Sequence, residues 1–424
     1  MHNPPEDLTN FIYQSYTSGT HLASLEDEKR NHLLLKIADA IKQERNLILE
    51  ANTYDLEASR EMAIPELLLE WMKLTPDRLQ STIDYLKHLT LAPSPLSRTS
   101  TIYDQHYRAV PIGLIAFIYE ALPHLVVLMA GMCLKSGNSL VIRGGSEISH
   151  SQSAIIEVIQ RAIKNSGLQL SEFCVAIAPA GTSIKDLVTQ EKYLRLIVPY
   201  GRPSFVQQIA KQSTLSILPA AMGNCYMYLG ITGNLNQALE NIKASRQGDP
   251  DAVNAIEKVL IHSDWLGDGD RNMAEWVQKL KSQSSQNSTT NITVKGCDRF
   301  VNYCRNYPEI FVEDIGVETQ WGQAHLDQTL AIKIVDDAKE AIAWINQYSS
   351  GHADVIMSDS VQESQNFVSQ VKSSNIFVNS HSKFNRLDGK GVALGIASLK
   401  TRGVSRYGGI IDMQSLTTTK RIII

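Results

Sequence analysis

The chain has 424 residues, of which 43% are hydrophobic and 20% are charged, and its formal net charge at pH 7 is −4. This length exceeds what one compact core usually holds and predicts two domains, and the composition is that of a globular protein. The charge shows no basic excess, so we expect no nucleic-acid partner.

The amino terminus and the cysteines bear on the cellular compartment. The opening residues, MHNPPEDLTNF, lack the basic start and apolar core of a signal peptide. The five cysteines are scattered and show no metal-ligand spacing. We therefore expect reduced thiols, no bound metal and a cytoplasmic location.

Helical spacing of apolar residues between 27 and 89 predicts amphipathic helices at the start of the chain. The long apolar run from Gly113 is interrupted by Glu120 and Pro123, which argues against a membrane span. It favours a buried strand, a turn and a helix over about 125–135, followed by the strand SLVIRGG. A strand–helix–strand unit with short turns predicts a parallel sheet.

Short apolar runs and helices alternate through the rest of the chain, with a second such segment from about 232 to 380. This pattern predicts an α/β fold with doubly wound domains. Two further segments, 99–110 and 416–424, alternate polar and apolar residues with a period of two. Such strands pair either on the chain's own surface or with a remote partner such as another subunit, and the pattern alone leaves both open.

The segment VIRGGSE ends a predicted parallel strand, where open α/β sheets bind ligands. Its arginine suits a phosphate, its two glycines permit close approach of the backbone, and its serine and glutamate can bond to a ribose or its phosphate. The alternative is a strand-to-helix turn whose glycines serve geometry alone, and the G-x-G-x-x-G fingerprint is absent. The candidate cofactor-binding residues are Arg143, Gly144, Gly145, Ser146 and Glu147.

Four stretches of the chain form recognisable motifs: VPIGLIAFIYEALPHLVVLMAGMCLKSGNSLVIRGGSE, LAIKIVDDAKEAIAWI, SGHADVIMSDS and IFVNSHSKFN. Through them, and over almost its whole length, the chain resembles the γ-glutamyl phosphate reductases (glutamate-5-semialdehyde dehydrogenases), a branch of the aldehyde dehydrogenase superfamily. It implies an aldehyde dehydrogenase-like fold of two doubly wound α/β domains and a small β oligomerisation arm. The implied bounds are 1–97 and 110–230 for an NADP-binding domain, 231–395 for a catalytic-type domain, and 98–109 and 396–424 for the arm. The two period-two segments then become subunit contacts, and we expect a homodimer or a dimer of dimers.

The resemblance also implies a reaction, the NADPH-dependent reduction of L-glutamate 5-phosphate to L-glutamate 5-semialdehyde in proline biosynthesis. In that reaction a cysteine thiolate attacks the carbonyl carbon and expels phosphate. The resulting thioester accepts hydride from the cofactor.

The family motif that holds this cysteine is altered here. The family carries P-S-x-C-N, then a glutamate and an apolar strand, and Pro250, Asn254 and Glu257 match it. Val253 stands at the cysteine position, with Asn254 adjacent. Valine has no lone pair and no labile proton, so it cannot be acylated. Cys225 matches a second family cysteine, but we expect it to be a buried core residue with no activating base nearby.

Other departures affect polar positions. The family's P-R-G-G reads Pro199-Tyr200-Gly201-Arg202, so one arginine is lost and an arginine replaces a glycine. Arginines suit two-point recognition of phosphate and carboxylate, which an acyl phosphate needs. Two functions therefore remain open: an active reductase of this family, or a non-catalytic homologue. The homologue would bind a nucleotide or a metabolite, and would act as a regulator or partner of an active paralogue.

Overall fold

The structure of the protein is a computed structural model. It describes residues 6–102, 105–247, 252–267, 272–282, 292–388, 391–398, 400 and 409–423. These residues divide into two compact units. The described residues within Met1–Ala221, Asn385–Gly395 and Arg402–Ile424 form the first unit, and those within Met222–Phe384 and Ile396–Thr401 form the second.

Helices and strands alternate through most of the described chain. The helices are α1 (Glu6–Ser24), α2 (Asp27–Gln43), α3 (Arg45–Glu61), α4 (Glu66–Met72), α5 (Pro76–Leu91), α6 (Leu125–Lys135), α7 (Ser149–Lys164), α8 (Ile184–Val188), α9 (Pro203–Gln212), α10 (Leu235–Ser245), α11 (Asn272–Ser282), α12 (Asp298–Cys304), α13 (Ala338–Tyr348) and α14 (Val361–Gln370). The strands are β1 (Thr99–Ile102), β2 (Gln105–Pro111), β3 (Leu114–Tyr119), β4 (Ser139–Gly144), β5 (Val175–Ile177), β6 (Leu194–Gly201), β7 (Ser216–Ile217), β8 (Ala220–Ala221), β9 (Cys225–Leu229), β10 (Ile256–His262), β11 (Thr293–Gly296), β12 (Glu313–Asp314), β13 (Thr329–Val335), β14 (Ala353–Met357), β15 (Asn375–Val378), β16 (Leu387–Asp388), β17 (Gly391–Ala397), β18 (Gly409–Asp412) and β19 (Thr417–Ile422).

A parallel sheet forms the centre of the first unit, in the order β5–β4–β3–β6–β7, and β8 also pairs with β6. The predicted helix over 125–135 and the strands on either side of it are confirmed as β3, α6 and β4. Every residue of β3 and of α6 is buried, which is why this stretch is so apolar. The chain runs from β3 outward to β5 and then returns to the other side of β3 as β6, so the strand order reverses between β3 and β6.

The second unit contains a sheet of parallel strands in the order β12–β11–β13–β10–β9–β14–β15. The compact units divide between Ala221 and Met222, and the predicted domains divide after residue 230. Strand β9 belongs to the second unit because it pairs with β10 on one side and β14 on the other. In this position its buried backbone N–H and C=O groups find hydrogen-bond partners on both sides. Of the carboxyl-terminal stretch predicted as arm from 396, residues 396–398 and 400 belong to the second unit and residues 409–423 to the first.

The two segments of period two pair with each other in the first unit. Strands β1 and β2 form an antiparallel hairpin, and β19 pairs antiparallel with the other side of β2. The buried amide of Asn138 fastens this sheet to the unit, since its Oδ1 accepts from Gly113 N (2.8 Å) and its Nδ2 donates to Leu416 O (2.9 Å). The sequence left open whether these strands pair within the chain or with another subunit, and the structure shows pairing within the chain. Strands β1 and β19 are the outer strands in the described part of this sheet.

A buried carboxylate at the start of β10 organises the neighbouring loop of the second unit. Glu257 accepts hydrogen bonds from two successive backbone N–H groups, those of His325 (2.6 Å) and Leu326 (2.7 Å). Leu326 has a φ of +59°, and successive N–H groups with one residue in this left-handed region form a concave site for an anion. The carboxylate therefore stabilises a backbone conformation that leucine rarely adopts.

A buried lysine and a half-buried arginine complete this contact. Lys258 Nζ donates to Gln323 O (3.2 Å) and lies 3.7 Å from Glu257 Oε2, and Arg246 donates to the carbonyls of Asp327 and Thr329. Burial raises the pKa of Glu257 and lowers the pKa of Lys258 to about 8. The three charges fasten the loop before β13 to β10.

The pH dependence of stability tests the state of Lys258. Its folded-state pKa of about 8 lies below the ordinary 10.5, so between these values the unfolded chain holds this proton more strongly than the folded chain. The contribution of Lys258 to the free energy of unfolding therefore rises with pH across this window, by up to about 3 kcal/mol. In urea titrations, we expect the wild type minus Lys258→Met difference to rise between about pH 8 and 10.5. Lys279→Met, at an exposed position of α11, is the control, and a difference that falls with pH would contradict the assignment.

Candidate functional site

The first candidate site lies where β3, β4 and β6 end, at the reversal of strand order in the first unit. Parallel sheets of this type bind ligands outside the carboxyl ends of their strands at such a reversal. The turn after β4 contains the predicted cofactor-binding residues, and the residues after β3 and β6 adjoin it. Gly145 N donates to Tyr119 O (3.0 Å) and Glu120 N donates to Tyr200 O (3.3 Å), so the three loops leave the sheet together.

The side chains of the turn after β4 are held by the chain's own backbone. Arg143 Nε donates to Thr182 O (3.1 Å), which leaves the guanidinium half-buried at the end of the strand. Glu147 Oε1 accepts from Ala121 N (2.9 Å), and Ala121 has a φ of +57°. Ser146 begins a short 3-10 turn, Ser146–Ile148, that leads into α7. The structure thus brings Arg143 through Glu147 together in one turn.

The two glycines of the turn make room for side chains of this chain. A Cβ on Gly144 would lie 2.2 Å from Gln152 Oε1, and a Cβ on Gly145 would lie 2.1 Å from a carboxylate oxygen of Glu147. Gln152 Oε1 is buried and has no hydrogen-bond partner among the described residues. An amide oxygen and a carboxylate at this place suit the hydroxyl groups of a ribose, which donate hydrogen bonds. The turn therefore fits the ribose end of a dinucleotide.

An ion pair lies at the reversal itself. Glu120 Oε1 accepts from Arg202 N (2.6 Å) and Nε (3.0 Å), and its Oε2 accepts from Arg202 Nη2 (2.9 Å). This hydrogen bonding raises the pKa of Arg202. Sequence analysis noted Arg202 only as a departure and did not predict its partner, since Glu120 is 82 residues away in the chain.

A third carboxylate lies at the start of α7. Asp55 accepts from the backbone N–H groups of His150 (3.0 Å) and Ser151 (2.7 Å). Backbone N–H groups at strand ends and helix starts are the usual donors to a phosphate. Here Glu147, Glu120 and Asp55 accept from such groups in all three places, so these N–H groups are not open to a phosphate.

Tyr200 belongs to the core of the first unit. Its hydroxyl accepts from Arg386 Nη2 (2.9 Å), and both side chains are buried. A Cβ on Gly395 would lie 3.0 Å from a ring carbon of Tyr200. The side chain at position 200 is therefore bound within the unit.

The loop that the resemblance associates with the nucleophile lies in the second unit, before β10. Val253 is 3% exposed and its carbonyl accepts from Gly223 N (3.0 Å). Asn254 is 2% exposed, its carbonyl accepts from Ser382 Oγ (2.8 Å), and its Oδ1 has no hydrogen-bond partner within the described ranges. Pro250 lies outside the described residues.

Cys225 lies close to this loop but is held as a thiol. A Cβ on Gly223 would lie 2.6 Å from Cys225 Sγ and 2.9 Å from Val253 O. Burial, followed by the charge of Asp354, raises the pKa of Cys225 well above its ordinary value. Sequence analysis expected no base nearby, whereas Ser350 bonds to Cys225 and its Oγ lies 3.0 Å from a histidine, His352 Nδ1. The raised pKa nevertheless makes this thiol a poor nucleophile.

Three further cysteines are also poorly suited to nucleophilic attack, because they are buried with raised pKa values, whereas Cys297 is half-buried. All five are free, and Cys133, Cys174 and Cys304 are buried. Burial raises the pKa of Cys174 and of Cys304 to about 12 and that of Cys133 further. In the parts of the chain that the structure describes, no group of three or more histidines, cysteines and carboxylates is arranged to hold a metal ion. Within the same parts, no helix is long and apolar enough to cross a membrane.

Comparison with known proteins places this geometry in a family. The model of the aldehyde dehydrogenase family matches residues 5–295. The γ-glutamyl phosphate reductase 2 of Synechocystis sp. is 37% identical over 410 residues, covering 95% of this chain and 93% of that protein. The γ-glutamyl phosphate reductase of Gloeobacter violaceus is 30% identical over 428 residues, covering 99% and 97%.

A solved structure agrees with these sequences. The γ-glutamyl phosphate reductase of Thermotoga maritima superposes with a TM-score of 0.83 at 25% identity, covering 98% of each chain. The aldehyde dehydrogenase-like α/β fold implied by the sequence is confirmed. The chain belongs to the aldehyde dehydrogenase family and, within it, to the γ-glutamyl phosphate reductases.

Proposed function

We propose that this protein is a γ-glutamyl phosphate reductase homologue that binds a nicotinamide dinucleotide but lacks the thiol step of the family reaction. The observation that carries the proposal is the buried valine, Val253, at the position where the family motif has its cysteine. The nearby thiol, Cys225, is buried and has a raised pKa, so it does not replace the missing nucleophile. Without an acyl-enzyme intermediate, reduction of an acyl phosphate loses its covalent route.

The cofactor in this proposal is NADP, held by Arg143, Gly144, Gly145, Ser146 and Glu147. When bound, a nicotinamide cofactor supplies or accepts hydride. The chain's own contribution is at the ribose end, where the Glu147 carboxylate and Gln152 Oε1 would accept from hydroxyl groups and Arg143 would face a phosphate. The protein would then serve as a regulator or partner of an active paralogue.

The second candidate function is an active reductase of L-glutamate 5-phosphate. It is favoured by the 37% identity to the Synechocystis protein over 95% of this chain. The two functions differ in whether the acyl group is transferred to the protein. Both functions would have the same assembly, a homodimer or a dimer of dimers with β1 or β19 at the subunit contact. Both would also have a cytoplasmic location, which the free cysteines support.

The first test is of thiol-dependent chemistry. Purified protein is supplied with glutamate 5-semialdehyde, NADP⁺ and phosphate, and NADPH formation is measured before and after alkylation of its thiols. Because valine accepts no acyl group, we expect no NADPH formation that is sensitive to alkylation. Val253→Cys restores the family residue beside Asn254 and Glu257, so it should acquire slow, alkylation-sensitive NADPH formation. Val253→Ala is the matched control and should not. Robust activity of the unmodified protein that iodoacetamide abolishes would show that the nucleophile lies elsewhere.

The second test is of cofactor binding. We expect calorimetry to detect binding of NADP⁺ to the unmodified protein, and Arg143→Ala to weaken it by about 1–3 kcal/mol because a charged hydrogen bond to phosphate is lost. Arg161→Ala removes a 56% exposed arginine of α7 and should leave the affinity unchanged. No heat of binding from the unmodified protein would refute the proposal that this turn holds NADP.

The third test is of assembly. Ile422 and Ile423 are exposed at the end of β19, and an apolar strand edge left open promotes aggregation. We therefore expect light scattering at micromolar concentration to give a mass at least twice that of the 47.1 kDa chain. Removal of residues 417–424 should yield monomer or insoluble protein. A monodisperse monomer from the full chain would refute the assignment of the arm as a subunit contact.

A further inference from the structure

We propose that the Glu120 carboxylate is an internal ligand of Arg202, and that it closes an anion site at the reversal of the first sheet. A phosphate-bearing ligand then binds Arg202 only by displacing Glu120. The proposal deepens the proposed function, since it rests on a dinucleotide as the ligand of this edge, and it adds a control on that binding.

The first observation is the completeness of the ion pair. One carboxylate accepts three hydrogen bonds from one residue, from the Arg202 backbone N–H and from two guanidinium nitrogens, at 2.6, 3.0 and 2.9 Å. A guanidinium forms the same two-point contact with a phosphate. Glu120 therefore uses the donors that would otherwise recognise a phosphate at this place.

The second observation is the difference in exposure between the partners. The Arg202 side chain is 40% exposed, whereas the Glu120 side chain is 8% exposed. Arg202 is thus reachable by an anion from solution, and the carboxylate that neutralises it lies beneath it. Because the charge of Arg202 is already paired, an incoming phosphate gains little from it unless Glu120 moves.

The third observation is the space that the pair needs. Gly201 has a φ of +153°, and a Cβ there would lie 2.6 Å from Glu120 Cγ. A glycine at this position therefore lets the Glu120 side chain pass under the loop and reach Arg202. The resemblance places a glycine at position 202 as well, so the arginine that completes the pair is a feature of this chain.

The neighbouring carboxylates act in the same direction. Glu147 accepts from Ala121 N and Asp55 accepts from the first N–H groups of α7, as described above. A phosphate dianion approaching this edge meets the Glu147 and Asp55 carboxylates, whose charges repel it, and an Arg202 charge that Glu120 already pairs. Neutralising Glu120 leaves the charge of Arg202 unpaired, so it is the change with the largest expected effect.

Calorimetry with inorganic pyrophosphate tests the proposal without requiring the rest of the cofactor. Glu120→Gln keeps the size of the side chain and an acceptor for the Arg202 N–H but removes the charge. We expect it to bind pyrophosphate at least about tenfold more tightly than the wild type, and Glu120→Gln combined with Arg202→Gln to lose this gain. Glu157→Gln, which removes an exposed carboxylate of α7, should bind as the wild type does.

Circular dichroism establishes that each variant is folded, and a crystal structure of the wild-type protein with saturating pyrophosphate gives a readout that needs no variant. In that structure we expect the pyrophosphate to contact Arg202 and the Glu120 carboxylate to have left it. Folded Glu120→Gln with wild-type affinity, or pyrophosphate bound at Arg202 beside an intact ion pair, would overturn the proposal.

The same titrations with NADP⁺ separate this proposal from the proposed function. A gain in pyrophosphate affinity with no NADP⁺ binding by any variant would uphold the internal ligand and refute the dinucleotide. NADP⁺ binding by the wild type with no gain in pyrophosphate affinity for Glu120→Gln would do the reverse.

Discussion

Backbone N–H groups at the ends of strands and the starts of helices must find acceptors, and in this protein buried carboxylates supply many of them. Glu257 accepts from two N–H groups of the loop before β13, Asp354 accepts from Tyr226 N, and Asp55 accepts from the start of α7. An unsatisfied buried N–H costs about 1–3 kcal/mol, so each of these carboxylates fixes the loop it contacts. The loops around both candidate sites depend on this type of contact.

The same contacts decide how open the strand-end edge of the first unit is. In an open α/β sheet, the N–H groups at the reversal of strand order remain available to a phosphate. Here Glu147 and Glu120 accept from two such groups, and the buried Gln152 oxygen lies close to Gly144 of the turn. The edge keeps acceptors that suit a ribose while its phosphate donors are occupied. A phosphate could use the Arg202 donors at this edge only if the Glu120 carboxylate left them.

In the second unit, buried polar groups hold the loop before β10 and its neighbour. Asn254 is buried in the loop before β10, and Glu257 fixes the neighbouring loop through two backbone N–H groups. The residue between Ala252 and Asn254 is an apolar valine, and the thiol near it is held protonated by burial. Packing and backbone contacts do not depend on a nucleophile, so the family's fold tolerates a valine at this place.

The sequence by itself determined the elements whose evidence is local. The apolar runs of β3 and α6 predicted a buried strand and helix, because burial on all faces leaves a continuous apolar run. The period-two pattern predicted strands β2 and β19, because burial on one face alternates polar and apolar residues. The quoted family motifs determined the fold and the family, since they match over nearly the whole chain.

Tertiary structure alone decided the contacts between distant residues. Glu120 meets Arg202 across 82 positions and Asp55 meets Ser151 across 96, and no periodicity links such pairs. Strand β9 entered the second sheet and the tail paired with β2 for the same reason, since a strand's partner is chosen by register and packing in three dimensions. A buried charged residue in the sequence predicts that it has a partner. Only the folded chain decides which residue that partner is, because it brings the loops of Glu120 and Arg202 to one edge of a sheet.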